Sequence, residues 1–219
     1  MLLFLGVLNY QAGKIIFTAK SPHFYLAIFV GINIVVLLSF KYTFWILSFI
    51  NPIFNVRKSS MPLGISFFTF HAISYLVDIY RKKISPSKSA IEFLTYFCMF
   101  QHLIAGPIVR YAQIEEEIPL RGPDNTLLSF GVYRFLVGLN KKIIIANSVS
   151  VIVETAFTMS WLNTLSFFDA WLGIVAYSVQ IYFDFSGYSD MAIGLAAMAG
   201  FRFNENFNRP YSSKNMQEF

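Results

Sequence analysis

Apolar stretches of roughly 20 residues recur along this chain, the length needed to cross the hydrocarbon core of a bilayer. That recurrence constrains the fold more than any single motif. Only 13% of the 219 residues are charged, against about 25% in soluble domains, and the mean hydropathy is +0.55. The expected architecture is all-α: a polytopic integral membrane protein, one membrane domain over residues 1–219, with re-entrant or interfacial helices in the bundle. No linker, fixed-period repeat or low-complexity tract marks a second domain. The single cysteine, Cys98, excludes an intrachain disulfide and a multi-cysteine zinc site. No metal ligand set is expected.

The apolar runs are 2–17, 24–50, 61–80, 91–109, 127–140, 143–161 and 165–183, with a last short run at 191–201. Gly106-Pro107 should break or kink the fourth. Lys141-Lys142 are expected to interrupt a pair of segments, and Leu162-Asn163-Thr164 to make a tight turn. The run 191–201 is only one-third to one-half of a spanning length, so a re-entrant or interfacial helix is expected there. Net charge is +5 and its basic clusters lie near segment ends, more a mark of cytoplasmic loops than of nucleic-acid binding. The loop with Arg81, Lys82, Lys83 and Lys88 is therefore assigned to the cytoplasm. The acidic loop 110–125 then falls outside, Lys141-Lys142 inside, and Arg202, Arg209 and Lys214 inside. Arg57-Lys58 conflict with this order unless 61–80 is re-entrant. A secretory signal peptide is not evident.

Charges inside hydrocarbon cost about 2.5–3.5 kcal/mol each on insertion scales, so intramembrane polar groups need partners or a purpose. They gather in residues 180–211, where Gln180, Asp184, Ser186, Tyr188, Ser189 and Asp190 precede Asn204, Asn206, Asn208, Arg209 and Tyr211. Asp184 and Asp190, six apart, would lie on different faces of a continuous helix. Ser186-Gly187 favours a break, which makes Ser189 or Asp190 the N-cap of a following helix. Asp184 would then accept from the turn or from a basic group, and a paired-carboxylate dyad is the competing reading. Ala192, Ala196 and Gly200 form a small-residue stripe suited to close helix approach. The asparagine-rich loop reads either as an interfacial belt or as the lining of a transfer site. Among the histidines, His23 starts a segment and His71 sits mid-segment with Ser66, Thr69 and Ser74 near it. His102, beside Gln101, is the candidate general base, with a satisfied core histidine as the alternative.

Three stretches together resemble the membrane-bound O-acyltransferase family in its alginate O-acetyltransferase-like branch. They are M-P-L-G-I-S-F-F-T-F-H-A-I-S-Y-L-V-D-I-Y-R (61–81), Q-H-L-I-A-G-P-I-V-R-Y (101–111), and D-F-S-G-Y-S-D followed by N-F-N-R-P-Y within 180–211. The resemblance implies helices around a funnel and transfer of an acyl group, usually acetyl. The donor, such as acetyl-CoA, would be cytoplasmic and a substrate rather than a bound cofactor. The acceptor would be a hydroxyl of an exported cell-surface polysaccharide such as alginate. It further implies a multi-pass protein of the inner (plasma) membrane, with lipid and a periplasmic or extracellular acetylating protein as partners and no nucleic acid. Gln101, His102, Gln180, Asp184, Ser186, Tyr188, Asn206, Asn208, Arg209 and Tyr211 would line the chamber, with Ser189 and Asp190 as the structural cap. The family's catalytic histidine is expected beyond Phe219, so the chain resembles a central fragment, inactive by itself, and no residue in it is assigned that role. The alternatives are a transporter or channel-like subunit using Asp184, Asp190 and Arg209, and a non-catalytic scaffold of an acyl-transfer complex.

Overall fold

The structure is a computed structural model that describes the chain apart from residues 51–61, 105, 121, 123, 162–165, 209 and 218–219, and apart from the side chains of 43–50 and 159–161. Among the described residues every regular element is helical. Two helical stretches are long and apolar enough to cross a membrane, 22–42 and 125–158. Contacts gather into two compact units, Met1–Arg121 and Gly122–Phe219.

The first unit is built on α1 (Leu2–Thr18), α2 (Pro22–Ile50) and α3 (Ile65–Tyr80). The first two match the apolar runs expected there, and their few polar side chains bond carbonyls one helical turn back without breaking the helix. α2 exposes Phe24, Ile28 and Val35. What joins α1 to α2 is polar. Asn9 and Asn33, 0% and 1% exposed, exchange side-chain hydrogen bonds: Asn9 Nδ2 donates to Asn33 Oδ1 at 3.1 Å, and Asn33 Nδ2 to Asn9 Oδ1 at 2.8 Å. Each also donates to the carbonyl four residues earlier. Such an interhelical pair contributes about 1 kcal/mol in an apolar surround. Asn33→Leu should therefore lower the thermal midpoint in detergent, and Asn9→Leu added to it should recover most of the loss, because no amide is then left facing a methyl group.

The run 91–109 becomes short pieces: α4 (Ala90–Phe97), α5 (Phe100–Leu103), and further on α6 (Tyr111–Ile114) and α7 (Glu117–Leu120). The first break falls at Cys98-Met99, ahead of Gly106-Pro107. Phe93, Tyr96 and Phe97 are each fully buried against a ring cluster that includes Tyr75 and Tyr111. That packing holds the end of α4 inward, and the Tyr96 hydroxyl donates to the Val109 carbonyl at 3.0 Å. Gly106 is in the left-handed half of conformational space, φ +113°, so the chain is also non-helical where the Gly-Pro pair stands.

The second unit holds α8 (Asn125–Asn140), a π-helical turn (Lys141–Ala146), α9 (Asn147–Trp161) and α10 (Phe167–Met198). Asp124 caps α8: its Oδ1 accepts from the Thr126 and Leu127 amides at 2.9 and 3.1 Å. The Leu127 bond, then the Thr126 bond, holds its carboxyl below the ordinary carboxylate value. A depressed folded pKa means that the cap stabilises α8 above the unfolded pKa of about 3.9 and loses that effect as pH falls through the folded pKa. Amide exchange at Thr126 and Leu127 should rise on acidification through that window, and Asp124→Asn should flatten the dependence.

Three expectations are corrected here. Lys141-Lys142 do not interrupt a pair of segments; the helix passes through them by widening to the π form, so they are not loop residues at a cytoplasmic end. Ser186-Gly187 do not break α10, so Ser189 and Asp190 cap nothing and lie in the helix interior. Residues 191–198 are the last two turns of α10 rather than a separate re-entrant or interfacial helix. The common cause is pairing of α8 and α10. Gly131 and Gly138 are two helical turns apart, as are Gly187 and Gly194, and the antiparallel helices meet glycine on glycine. A Cβ on Gly131 would stand 2.7 Å from the Gly194 carbonyl oxygen, and one on Gly187 2.7 Å from that of Gly138. Gly187 is a contact residue, not a hinge. Of the expected stripe, Ala192 and Ala196 are buried, but Gly200 ends the helix instead. With φ +86° it lets the Phe201 amide donate to the Ala196 carbonyl and its own amide to that of Ala197, a Schellman stop. The turn 162–164 lies outside the described residues.

Candidate functional site

In the second unit the charges of 180–211 find partners on α8 and its π-helical turn. Asp190 has a side chain 6% exposed and two cations on it: Arg134 Nη2 at 2.7 Å from Oδ1, and Lys141 Nζ at 2.6 Å from Oδ2. The same Arg134 nitrogen reaches Glu205 Oε2 at 2.5 Å. Lys142 pairs with Asp184. Arg134 and Lys141 are seven apart, as Gly131 and Gly138 are, so they return on the α10 side. The wider π turn then brings the adjacent Lys142 within reach of Asp184. Each lysine in mid-helix is thereby neutralised by a carboxylate on the facing helix. A buried pair of this kind specifies an arrangement more than it stabilises one, and removing one partner is costly. Asp184 does accept from a basic group, while the two carboxylates are held by separate cations and do not form a dyad.

Beyond the stop at Gly200 the chain folds back along α10. Phe201 and Phe203 are buried, Phe207 packs edge-on against Tyr182 and Phe185 with centroids at 6.0 and 5.2 Å, and the Tyr211 hydroxyl donates to the Ser178 carbonyl at 2.9 Å. Aromatic residues thus lie toward the helix, Tyr211 among them though exposed, and Asn204, Asn206 and Asn208 are exposed. An exposed amide both donates and accepts, which suits it to hydroxyl-rich ligands. On α10 the Gln180 Oε1 and the Ser186 and Ser189 hydroxyls are buried without a hydrogen-bond partner among the described residues, and Tyr188 is half-buried. Arg209 lies outside the described residues.

Gln101 and His102 belong to the first unit. His102 is fully buried; its Nε2 bonds the Tyr96 carbonyl at 3.0 Å, and its ring stands edge-on to His71 at 4.4 Å between centroids. A ring so enclosed presents no nitrogen to a bulky acceptor. His71 is 1% exposed, and Gln101 Oε1 is buried without a partner. His23, in contrast, is exposed at the start of α2.

The carboxylates and the amide loop were legible in the sequence, but the network of Arg134, Lys141 and Glu205 with Asp190, and the separate Lys142–Asp184 pair, were not. The seven-residue spacings of Arg134 with Lys141 and of both glycine pairs were the available signal.

A polar loop is thus pinned to a glycine-paired, charge-neutralised helix pair, and residues 80–219 match the MBOAT, membrane-bound O-acyltransferase family. The chain belongs to that family. It is 40% identical over 97% of its length to the Azotobacter vinelandii protein named Probable alginate O-acetylase AlgI, covering 44% of that protein. It is 32% identical over 85% of its length to the Peptidoglycan O-acetyltransferase of Helicobacter pylori, covering 41% of it. It is 29% identical over 72% of its length to the Teichoic acid D-alanyltransferase of Bacillus subtilis, covering 40% of it. The chain thus spans less than half the length of these relatives.

Proposed function

We propose that the whole protein is a multi-pass enzyme of the inner (plasma) membrane that moves an acetyl group from a cytoplasmic thioester, such as acetyl-CoA, to hydroxyls of an exported polysaccharide such as alginate. The observation that carries this reading is the family match over 80–219, because that stretch includes the whole α8–α10 unit and the exposed amide loop. The relatives' names vary the polymer but keep acyl transfer, and the higher identity lies with the alginate O-acetylase. In the reaction a polymer hydroxyl oxygen attacks the thioester carbonyl carbon, a C–O bond forms, the C–S bond breaks, and the thiolate leaves. The hydroxyl proton passes to a base. His71 and His102 are buried; we assign the base to another part of the whole protein, and these 219 residues alone are expected not to turn over donor. Gln180, Asp184, Ser186, Tyr188, Asn206, Asn208, Arg209 and Tyr211 form the wall contributed by this chain, beside a funnel completed elsewhere. A periplasmic or extracellular protein completes the modification.

The test is genetic and chemical. Deleting the gene should remove O-acetyl esters from the exported polysaccharide, and the full-length gene should restore them, read as ester per sugar by proton NMR. Unchanged ester content in the deletion strain would refute the assignment.

A further inference from the structure

We infer that Glu205 is a positioning residue: through Arg134 it pins the loop 201–211 to the α8–α10 pair and so fixes the outward row Asn204, Asn206 and Asn208. The loop is held inward at Phe203 and again at Phe207, with three exposed polar residues, 204–206, between them. Glu205 is the middle one, and its carboxylate turns back to Arg134 Nη2 at 2.5 Å. The guanidinium is thus shared between a buried carboxylate, 6% exposed, and an open one, 54% exposed. One nitrogen, Nη2, meets both carboxylates, and the guanidinium keeps its charge at any ordinary pH.

That asymmetry separates two roles. Asp190 keeps both Arg134 and Lys141 if Glu205 is neutralised, so the helix pair survives. The loop then loses its ion pair in mid-span but keeps the buried Phe201 and Phe203 before it, and Phe207 and the Tyr211 bond to Ser178 after it. An unpinned amide row still holds the same groups but no longer holds them in register, so binding suffers before the chemical step does. That the row meets the polysaccharide hydroxyls rests on the acyltransferase reading; the clamp itself does not.

The experiment uses the full-length protein in lipid nanodiscs, comparing wild type, Glu205→Gln and Glu205→Asp. Hydrogen exchange of peptides covering 201–211 should rise ~5-fold or more in Glu205→Gln, with α8 and α10 unchanged. With labelled acetyl-CoA and alginate, KM for alginate should rise ~3- to 10-fold and kcat should stay within ~2-fold. Glu205→Asp should recover most of both. Unchanged exchange in 201–211, or exchange rising throughout α8 and α10, would overturn the clamp. A loosened loop with an unchanged KM would overturn its positioning role. If the wild-type protein moved no acetyl group, the acyltransferase reading would fall, and the exchange data would still decide the clamp.

Discussion

Asp190→Ala is expected to lower the yield of folded protein more than any other single polar substitution in the second unit. It leaves Arg134 and Lys141 side by side against the same helix with their shared carboxylate gone. Removing one partner of a buried pair costs about 3–5 kcal/mol, most of it from the uncompensated charge. Here two cations are stranded, although Arg134 retains Glu205. The monodisperse fraction on size exclusion and the thermal midpoint in detergent would report the loss. Asp190→Leu combined with Lys141→Met should recover much of it, since that pair removes the charges together. Lys142→Met should be milder, because its pair with Asp184 is 41% and 48% exposed and exposed pairs contribute at most about 1 kcal/mol.

Gly138→Val carries the second large effect. At Gly138 the nearest neighbours of an added Cβ are the Gly187 carbonyl and the Met191 amide, both backbone, so nothing flexible can yield. Overpacking of this kind costs about 1–3 kcal/mol, and more where helix backbones must separate. The Asp190 pairs should weaken with it, because they span the same crossing. Gly31→Ala is the control: the position lies within α2 with open space around it, and alanine there should stabilise the helix by up to about 1 kcal/mol. A Gly138→Val protein as stable as wild type would show that α8 and α10 are not in backbone contact.

Much of the first unit was legible in the sequence. Runs 2–17 and 24–50 correspond to α1 and α2 although Lys14 and Lys41 fall within them. The later half was misread where local punctuation competed with distant partners. A lysine pair in an apolar run looks like a segment end, and Ser-Gly looks like a break, when only a short window is weighed. Lys141 meets Asp190 across 49 residues and Lys142 meets Asp184 across 42, and no local window contains both members of either pair. Once the charges are neutralised the helix has no reason to stop at them, and once Gly187 is a contact surface it has no reason to bend. The stretch 180–211 carries the carboxylates that pair with α8 and its π-helical turn. Asp190 moved from cap to ion pair, Asp184 met a basic group as expected, and the asparagine row gained a neighbour, Glu205, paired with Arg134, that residue type alone did not suggest. His102 drew attention as a titratable group in an apolar run; the ring cage around it was built by Tyr96 and His71, contacts that spacing did not specify.

In the proposed reaction the amide loop held on this helix pair forms a wall of the acyl-transfer chamber. The most direct measurement is acetyl transfer by the full-length protein in nanodiscs, from labelled acetyl-CoA to alginate, with Asn206 and Asn208 both replaced by alanine. These side chains are exposed, so helical content and thermal midpoint should match wild type while kcat/KM falls ~10-fold or more. Unchanged kcat/KM in that double variant would contradict the claim and leave the loop as an interfacial belt.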